Sequence, residues 1–138
     1  MRFIKVAILS LIAISAIAEE KYSWQWIKDE GFLSSFNMLI DRYNLPDWAL
    51  DFRGPSELSY STQIKEASYH VIHTCKPHNC ANMNLTVLYS VQSIYILFNG
   101  AESYVIGNPE KVIEDRLVDL HSGYYKKSNV KQRLSKNN

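Results

Sequence analysis

Cysteine is scarce in this sequence of 138 residues, which contains only Cys75 and Cys80. Because no cysteine lies nearer the start of the chain, a lipid-bearing cysteine at the beginning of a processed form is excluded. Long apolar runs are also missing after residue 18, and this excludes later membrane-spanning helices, which need roughly 20 apolar residues. Internal repeats are absent, and nothing before the last residues is low in complexity. The composition therefore indicates one globular domain.

Recognisable catalytic patterns are lacking as well. Neither a Ser-His-Asp order nor a pair of acids at a catalytic spacing stands out. The carboxylates of Glu110, Glu114 and Asp115 are typical of a solvated helix face. The sequence therefore gives no support for an enzyme and no reason to expect a cofactor.

The first 18 residues have the pattern of a secretory signal peptide. Arg2 and Lys5 precede an apolar run over residues 6–18, which ends in the small residues typical of a cleavage site, Ala16-Ile17-Ala18. A membrane anchor is the alternative, but this run is shorter than a bilayer requires and contains two serines. We therefore expect export, cleavage before Glu19, and no stable membrane insertion afterwards.

Charge is unevenly distributed along the rest of the chain. The body from residue 19 to residue 123 has more acidic than basic side chains. Basic residues cluster instead near the end, at Lys126, Lys127, Lys131, Arg133 and Lys136. An acidic body favours a cationic partner, and it also keeps a protein soluble. We expect residues 19–125 to form the domain and residues 126–138 to form a basic, disordered tail that contacts neither nucleic acid nor a membrane.

Two stretches have the spacing of helices. Apolar side chains recur on one face over residues 31–42, and Pro46 follows the end of this helix. A second helix is predicted over residues 111–120, where Asn108 can act as the cap and Pro109 fits the first turn.

The segments between these helices have strand character. They are residues 58–65, 68–74, 84–90, 93–98 and 103–106. Their connections are short, and Asn99-Gly100 is a turn signal. Successive strands with tight turns, flanked by helices at both ends, predict an α+β fold with a central antiparallel sheet of about five strands.

The two cysteines enclose a short segment, Cys75-Lys76-Pro77-His78-Asn79-Cys80, which directly follows a predicted strand. In an exported chain an even pair of cysteines most often forms a disulfide. Pro77 fixes its own φ angle and favours an extended conformation at Lys76. His78 would then be presented at the tip of a stiff loop, which loses little conformational freedom on binding.

Other interpretations of this segment stay open on the residues alone. It could be a stapled turn with a solvated histidine, or a metal site of Cys75, Cys80 and His78. His70 or His73 would complete such a site, but the spacing fits no common zinc pattern and oxidation would remove both thiolates. Redox chemistry of the thioredoxin type lacks its two-residue spacing. His70 and His73 fall on opposite faces of one strand, where packing or a surface hydrogen bond is the simpler expectation.

The cysteine segment resembles the C-K-P-H-x-C loop of the Ivy family of periplasmic lysozyme inhibitors (inhibitor of vertebrate lysozyme). Leu45-Pro46-Asp47-Trp48 resembles a second, weaker family segment, and the resemblance covers residues 32–120. It implies a disulfide between Cys75 and Cys80. It also implies a loop that projects from a central antiparallel sheet flanked by helices.

The resemblance further implies a function. In that family the loop histidine enters the catalytic cleft of c-type lysozyme, so His78 takes this role by position. Lys76, Pro77 and Asn79 would shape or rim the loop. The implied protein is a periplasmic inhibitor and not an enzyme, with c-type lysozyme as its partner and no cofactor. The family includes homodimers, so a homodimer is a further expectation from the resemblance.

Two other functions are alternatives. Trp24, Trp26 and Trp48 would be sugar-stacking platforms in a secreted cell-wall carbohydrate-binding module, although tryptophans more often lie in the core or at its edge. The other alternative is a small zinc or redox protein centred on Cys75 and Cys80.

Overall fold

The computed structural model describes residues 20–55 and 57–136. The predicted signal peptide and its cleavage site lie outside these described residues. The helices are α1 (Ser23–Trp26), α2 (Glu30–Ile40), α3 (Asp47–Asp51) and α4 (Lys111–Lys136), and the strands are β1 (Tyr60–Ile64), β2 (Ala67–Cys75), β3 (Asn84–Tyr89), β4 (Ile94–Asn99) and β5 (Ser103–Ile106). Within the described residues, no helix has the length and apolar character needed to cross a membrane.

The strands form one antiparallel sheet in the order β1-β2-β3-β4-β5, so each strand pairs with its neighbours in the chain. Short connections favour this order, because closing a short loop loses little chain entropy. The architecture confirms the predicted α+β fold with a central antiparallel sheet. The predicted strand bounds differ from the observed ones by no more than two residues.

Helices cover both faces of the sheet. On one face, α1, α2 and α3 contribute large side chains such as Phe32 and Phe36 to a core with the inward residues of β2, β3 and β4. On the other face, α4 packs Ile113 and Leu117 against residues that include Leu88. Because both faces are covered, all 6 residues of the central strand β3 are buried instead of alternating between buried and exposed.

The first predicted helix corresponds to α2. Its N-terminus is capped by Asp29, whose side chain accepts a hydrogen bond from the backbone N–H of Phe32 at 3.0 Å. The helix ends at Ile40, two residues earlier than predicted. The sequence pattern does not reveal α1 and α3, because their 4 and 5 residues are too few to show a helical period.

Helix α4 is longer than the sequence predicts. It starts at Lys111 as expected but continues to Lys136, through most of the segment for which a disordered tail is predicted. Leu117, His121 and Tyr125 recur at steps of four and are all buried. This buried stripe extends the packing of α4 beyond residue 120. Once a helix has formed, each further residue adds to it at little cost in free energy.

The start of α4 also differs in detail from the prediction. The carbonyl of Glu110 accepts hydrogen bonds from the backbone N–H groups of Ile113 and Glu114. Asn108, the predicted cap, precedes this position and has a left-handed φ angle of 51°. Pro109 therefore lies in the turn before the helix and not in its first turn.

The three tryptophans take different positions. Trp26 is buried and its indole N–H donates to Ser59 Oγ at 3.1 Å, while Trp48 is partly buried against Phe98. These two match the expectation of core and core-edge residues. Trp24 instead lies on the surface with 47% of its area exposed, because two positions along a helix separate side chains by more than half a turn.

Candidate functional site

The predicted disulfide loop forms the first half of the connection between β2 and β3. Cys75, the last residue of β2, is bonded to Cys80, and their Cα atoms are 4.9 Å apart. This confirms the pairing that the resemblance implies. Since the two sulfurs are bonded to each other, neither is a thiolate that could bind a metal or carry out thiol chemistry.

Backbone hydrogen bonds hold the same connection. The N–H of Lys76 donates to the carbonyl of Met83 at 2.9 Å, and the N–H of Met83 donates to the carbonyl of Asn79 at 3.0 Å. The N–H of Asn79 in turn donates to the carbonyl of Lys76 at 3.0 Å. A segment whose polar backbone groups are paired within itself needs no partner to satisfy them. The loop therefore has a defined shape before it binds anything.

His78 is exposed in this loop and has a φ angle of 65°. A left-handed conformation costs a residue with a Cβ roughly 1 kcal/mol or more, so the surrounding ring must impose it. Lys76 and Pro77 are exposed as well, and Asn79 is partly buried. The four residues that the sequence predicts for binding thus lie on one ring, with His78 accessible to a partner.

Gly54 supports the base of the loop from outside the motif. A Cβ atom at this position would lie 1.7 Å from the carbonyl oxygen of Cys75. Only glycine therefore allows this segment to approach the backbone of β2 so closely. The sequence indicates no more here than a turn between the first helices and the sheet, because the contact joins segments that are far apart in the chain.

Two further histidines belong to the folded body. His73 is buried under α4, where its Nδ1 lies 2.7 Å from Thr86 Oγ1 and its Nε2 lies 3.1 Å from the hydroxyl of Tyr60. His121 of α4 shares the same threonine oxygen at 2.8 Å. Burial lowers the pKa of His73 to about 3 and the pKa of His121 to about 4. Both rings are therefore neutral at pH 7 and serve as hydrogen-bonding groups of the core.

The histidines and cysteines do not converge on a metal site. His70 lies on the face of β2 opposite His73, with its ring 4.7 Å from the ring of Trp26. Both ring nitrogens of His73 already have hydrogen-bond partners. In the part of the chain that the structure describes, no group of three or more His, Cys, Asp or Glu side chains could hold a metal ion.

The chain is similar to curated proteins that share one name. The chain is 27% identical over 84 residues to the Inhibitor of vertebrate lysozyme of Escherichia coli (strain K12), a match that covers 60% of this chain and 53% of the relative. It is 28% identical over 72 residues to the protein of the same name from Pseudomonas aeruginosa, which covers 51% of this chain and 47% of that relative. The chain is similar to the Ivy proteins.

This similarity confirms the resemblance that the loop motif indicates. The chain spans about half the length of the curated relatives it matches. No protein-family model matches it. Both relatives are named as inhibitors, which is compatible with the prediction that this chain is not an enzyme.

Proposed function

We propose that this chain is a periplasmic inhibitor of c-type lysozyme that inserts the Cys75–Cys80 loop into the glycosidase cleft, with His78 as the inserted side chain. The observation that carries the proposal is an exposed His78 on a short disulfide-closed ring at the end of the sheet. Similarity to proteins named as lysozyme inhibitors supports the class of partner.

The chemistry of the target explains why a histidine suits this position. A lysozyme needs one carboxylic acid as proton donor and a second, ionised carboxylate across the bond that it cleaves. Imidazole has two nitrogens on different sides of one ring, so a single histidine can hydrogen-bond to both carboxyl groups. Bound in this way, His78 occupies the proton donor and keeps the sugar out of the cleft.

The neighbours of His78 form the rest of the proposed lysozyme-binding surface. Pro77 has a fixed φ angle, and the backbones of Lys76 and Asn79 are hydrogen-bonded to each other at 3.0 Å. Because the ring is shaped before binding, little conformational entropy is lost in the complex and more of the contact energy remains as affinity. Lys76, Pro77 and Asn79 therefore present His78 and line the edge of the contact.

The proposed location follows from the first 18 residues of the sequence. A signal peptide directs the chain to an oxidising compartment, where a disulfide persists. N-terminal sequencing of the exported protein should begin at Glu19, and retention of Met1 would contradict cleavage. Sedimentation of the purified protein tests the homodimer that the family resemblance implies.

The inhibitory role is tested by lysis of a cell-wall suspension with c-type lysozyme and increasing amounts of the purified mature protein. We expect dose-dependent protection. His78→Ala should weaken this protection about thirtyfold or more. Truncating a side chain that is buried as an anchor in a complex costs about 2 kcal/mol or more of binding free energy.

The matched control is Gln92→Ala, which changes an exposed residue of the β3–β4 turn at the other end of the sheet. It should protect as well as the wild type. Full lysis in the presence of excess wild-type protein would contradict the proposal. Unchanged protection by His78→Ala would place the binding energy on other residues.

A second candidate function rests on a pair of exposed aromatic rings. Tyr22 and Trp24 are 41% and 47% exposed, and their ring planes differ by 7° with centroids 6.5 Å apart. Nearly parallel exposed rings suit stacking on sugars, as in a cell-wall carbohydrate-binding module. Retention on peptidoglycan without lysozyme, lost in Trp24→Ala, would support this function. Absence of retention would exclude it.

A further inference from the structure

A row of polar residues crosses the end of the sheet beside the disulfide loop. Cys75 pairs with Asn84, Asn84 pairs with Asn99, and Asn99 pairs with Ser103 across the strands β2 to β5. Side chains that are directly opposite each other on neighbouring strands lie on the same face. The row therefore runs along one face, from the edge strand β5 to the cysteine that begins the loop.

Hydrogen bonds connect this row in one direction. Ser103 Oγ donates to Asn99 Oδ1 at 2.6 Å, and Asn99 Nδ2 donates to Asn84 Oδ1 at 3.3 Å. Asn84 Nδ2 then donates to the carbonyl oxygen of Cys80 at 2.7 Å. Each amide uses its oxygen as acceptor and its nitrogen as donor, so the orientations of both amides agree with one another. Successive hydrogen bonds of this kind polarise and strengthen each other.

Asn84 is an unusual residue for its place in the fold. It is the first residue of the central strand β3 and only 1% of its area is exposed. Asparagine is depleted in strands, and a buried amide must find partners for its polar atoms. The partner on the loop side is the carbonyl of Cys80, and the partner on the sheet side is Asn99.

We infer that Asn84 is a positioning residue for the loop, and that it restrains Cys80 independently of the disulfide. The connection between β2 and β3 then consists of two closed rings that share Cys80. The disulfide closes residues 75–80, and the Asn84 side chain closes residues 80–84. The inference rests on the proposed function, because it gives Asn84 a part in presenting His78.

Two restraints on one segment predict a specific pattern of inhibition. When either restraint remains, the loop keeps most of its shape, whereas loss of both frees several residues that must then be ordered on binding. We expect Asn84→Ala, and separately the paired Cys75→Ser and Cys80→Ser change, to weaken inhibition by roughly three- to tenfold each. The combined variant should be weakened by more than the product of these factors, as expected for coupled sites.

The experiment measures the inhibition constant against c-type lysozyme for these full-length mature variants. Asn84→Asp is included because it preserves volume and its ionised carboxylate cannot donate to the Cys80 carbonyl, so at a pH where this carboxylate is ionised the variant should resemble Asn84→Ala. Val87→Ala is the matched control, since Val87 is a fully buried residue of the same strand that packs in the core on the opposite face. It should lower the unfolding temperature and leave the inhibition constant unchanged.

Hydrogen exchange of the loop amides gives a second measurement that needs no lysozyme. In Asn84→Asp, the amides of Asn79 and Met83 should exchange about tenfold faster, while the amides of β2 and β4 keep their protection. If the wild type does not inhibit lysozyme, the proposed function fails and exchange alone still decides the role of Asn84. Unchanged loop exchange, or inhibition factors that simply multiply, would overturn the inference.

Discussion

At the scale of single residues, the presentation of His78 depends on side chains and a glycine outside the loop motif. His78 has a left-handed backbone, which the ring around it must maintain. Gly54 lies against the carbonyl of Cys75, where any side chain would collide. Gly54 can thus support the loop although it lies outside the loop motif.

Gly54→Ala is expected to destabilise the domain. The new Cβ would lie 1.7 Å from the Cys75 carbonyl oxygen, so one of the two backbones must move. Urea denaturation should show a fall in the free energy of unfolding of about 2 kcal/mol or more.

The control is Gly123→Ala in α4, where an added Cβ meets nothing within 4 Å. This change should raise the free energy of unfolding by up to about 1 kcal/mol, because alanine is the better helix former. If both substitutions changed the free energy of unfolding equally, the close approach of Gly54 to Cys75 would not restrict the residue at this position.

At the scale of elements, the β2–β3 connection lies at one end of the sheet, where it joins two paired strands. The strands β1 to β5 pair with their neighbours in one sheet, and the two cores lie on its two faces. The disulfide closes only a short ring, whose contribution through the unfolded state is about 2 kcal/mol. Its main effect should therefore be local.

Reduction of the Cys75–Cys80 disulfide should weaken lysozyme inhibition without unfolding the domain. We expect several-fold weaker protection in the lysis assay and an unchanged far-ultraviolet circular dichroism spectrum, with a thiol titration to verify complete reduction. Loss of the helix and strand signal on reduction would show that the domain needs the disulfide to remain folded.

At the scale of the whole molecule, the buried histidines tie stability to pH. His73 of β2 and His121 of α4 meet at Thr86 of β3, so their network joins the long helix to the centre of the sheet. Burial lowers their pKa values to about 3 and about 4, below the value of 6.5 that they have in an unfolded chain. The folded state therefore binds fewer protons than the unfolded state across this range.

The free energy of unfolding should consequently be highest above about pH 6.5 and should fall as the pH decreases toward the folded-state pKa values. Each histidine contributes a slope of at most about 1.4 kcal/mol per pH unit, so we expect a loss of about 2 kcal/mol between pH 7 and pH 5.5. Urea denaturation at the two pH values measures this loss in the free energy of unfolding.

His121→Gln keeps a neutral hydrogen-bonding group beside Thr86 and removes one of the two histidine rings that contact Thr86. This variant should lose about half as much stability over the same interval. A loss equal to that of the wild type would exclude His121 as a cause of the pH dependence.

Several parts of this protein follow from local patterns of residues along the chain. Segments of strand character with short connections indicate the strands, the helical period over residues 31–42 indicates α2, and the cysteine spacing with Pro77 and His78 indicates the loop. Neighbouring strands pair because short turns leave them few other partners. The order of the sheet is therefore accessible from the sequence.

The distant residues that support the loop and the core become apparent only in the folded chain. Gly54 meets Cys75, Asn84 reaches the Cys80 carbonyl, and His121 bonds to Thr86, which lies 35 positions away in the chain. The continuation of α4 beyond residue 120 depends in the same way on burial of His121 and Tyr125. The step of four from Leu117 to His121 and Tyr125 is visible in the sequence, but only the packing shows that it continues a buried face. The contacts of Gly54 and Asn84 cannot be inferred from the spacing of neighbouring residues, because each depends on how distant segments pack against each other.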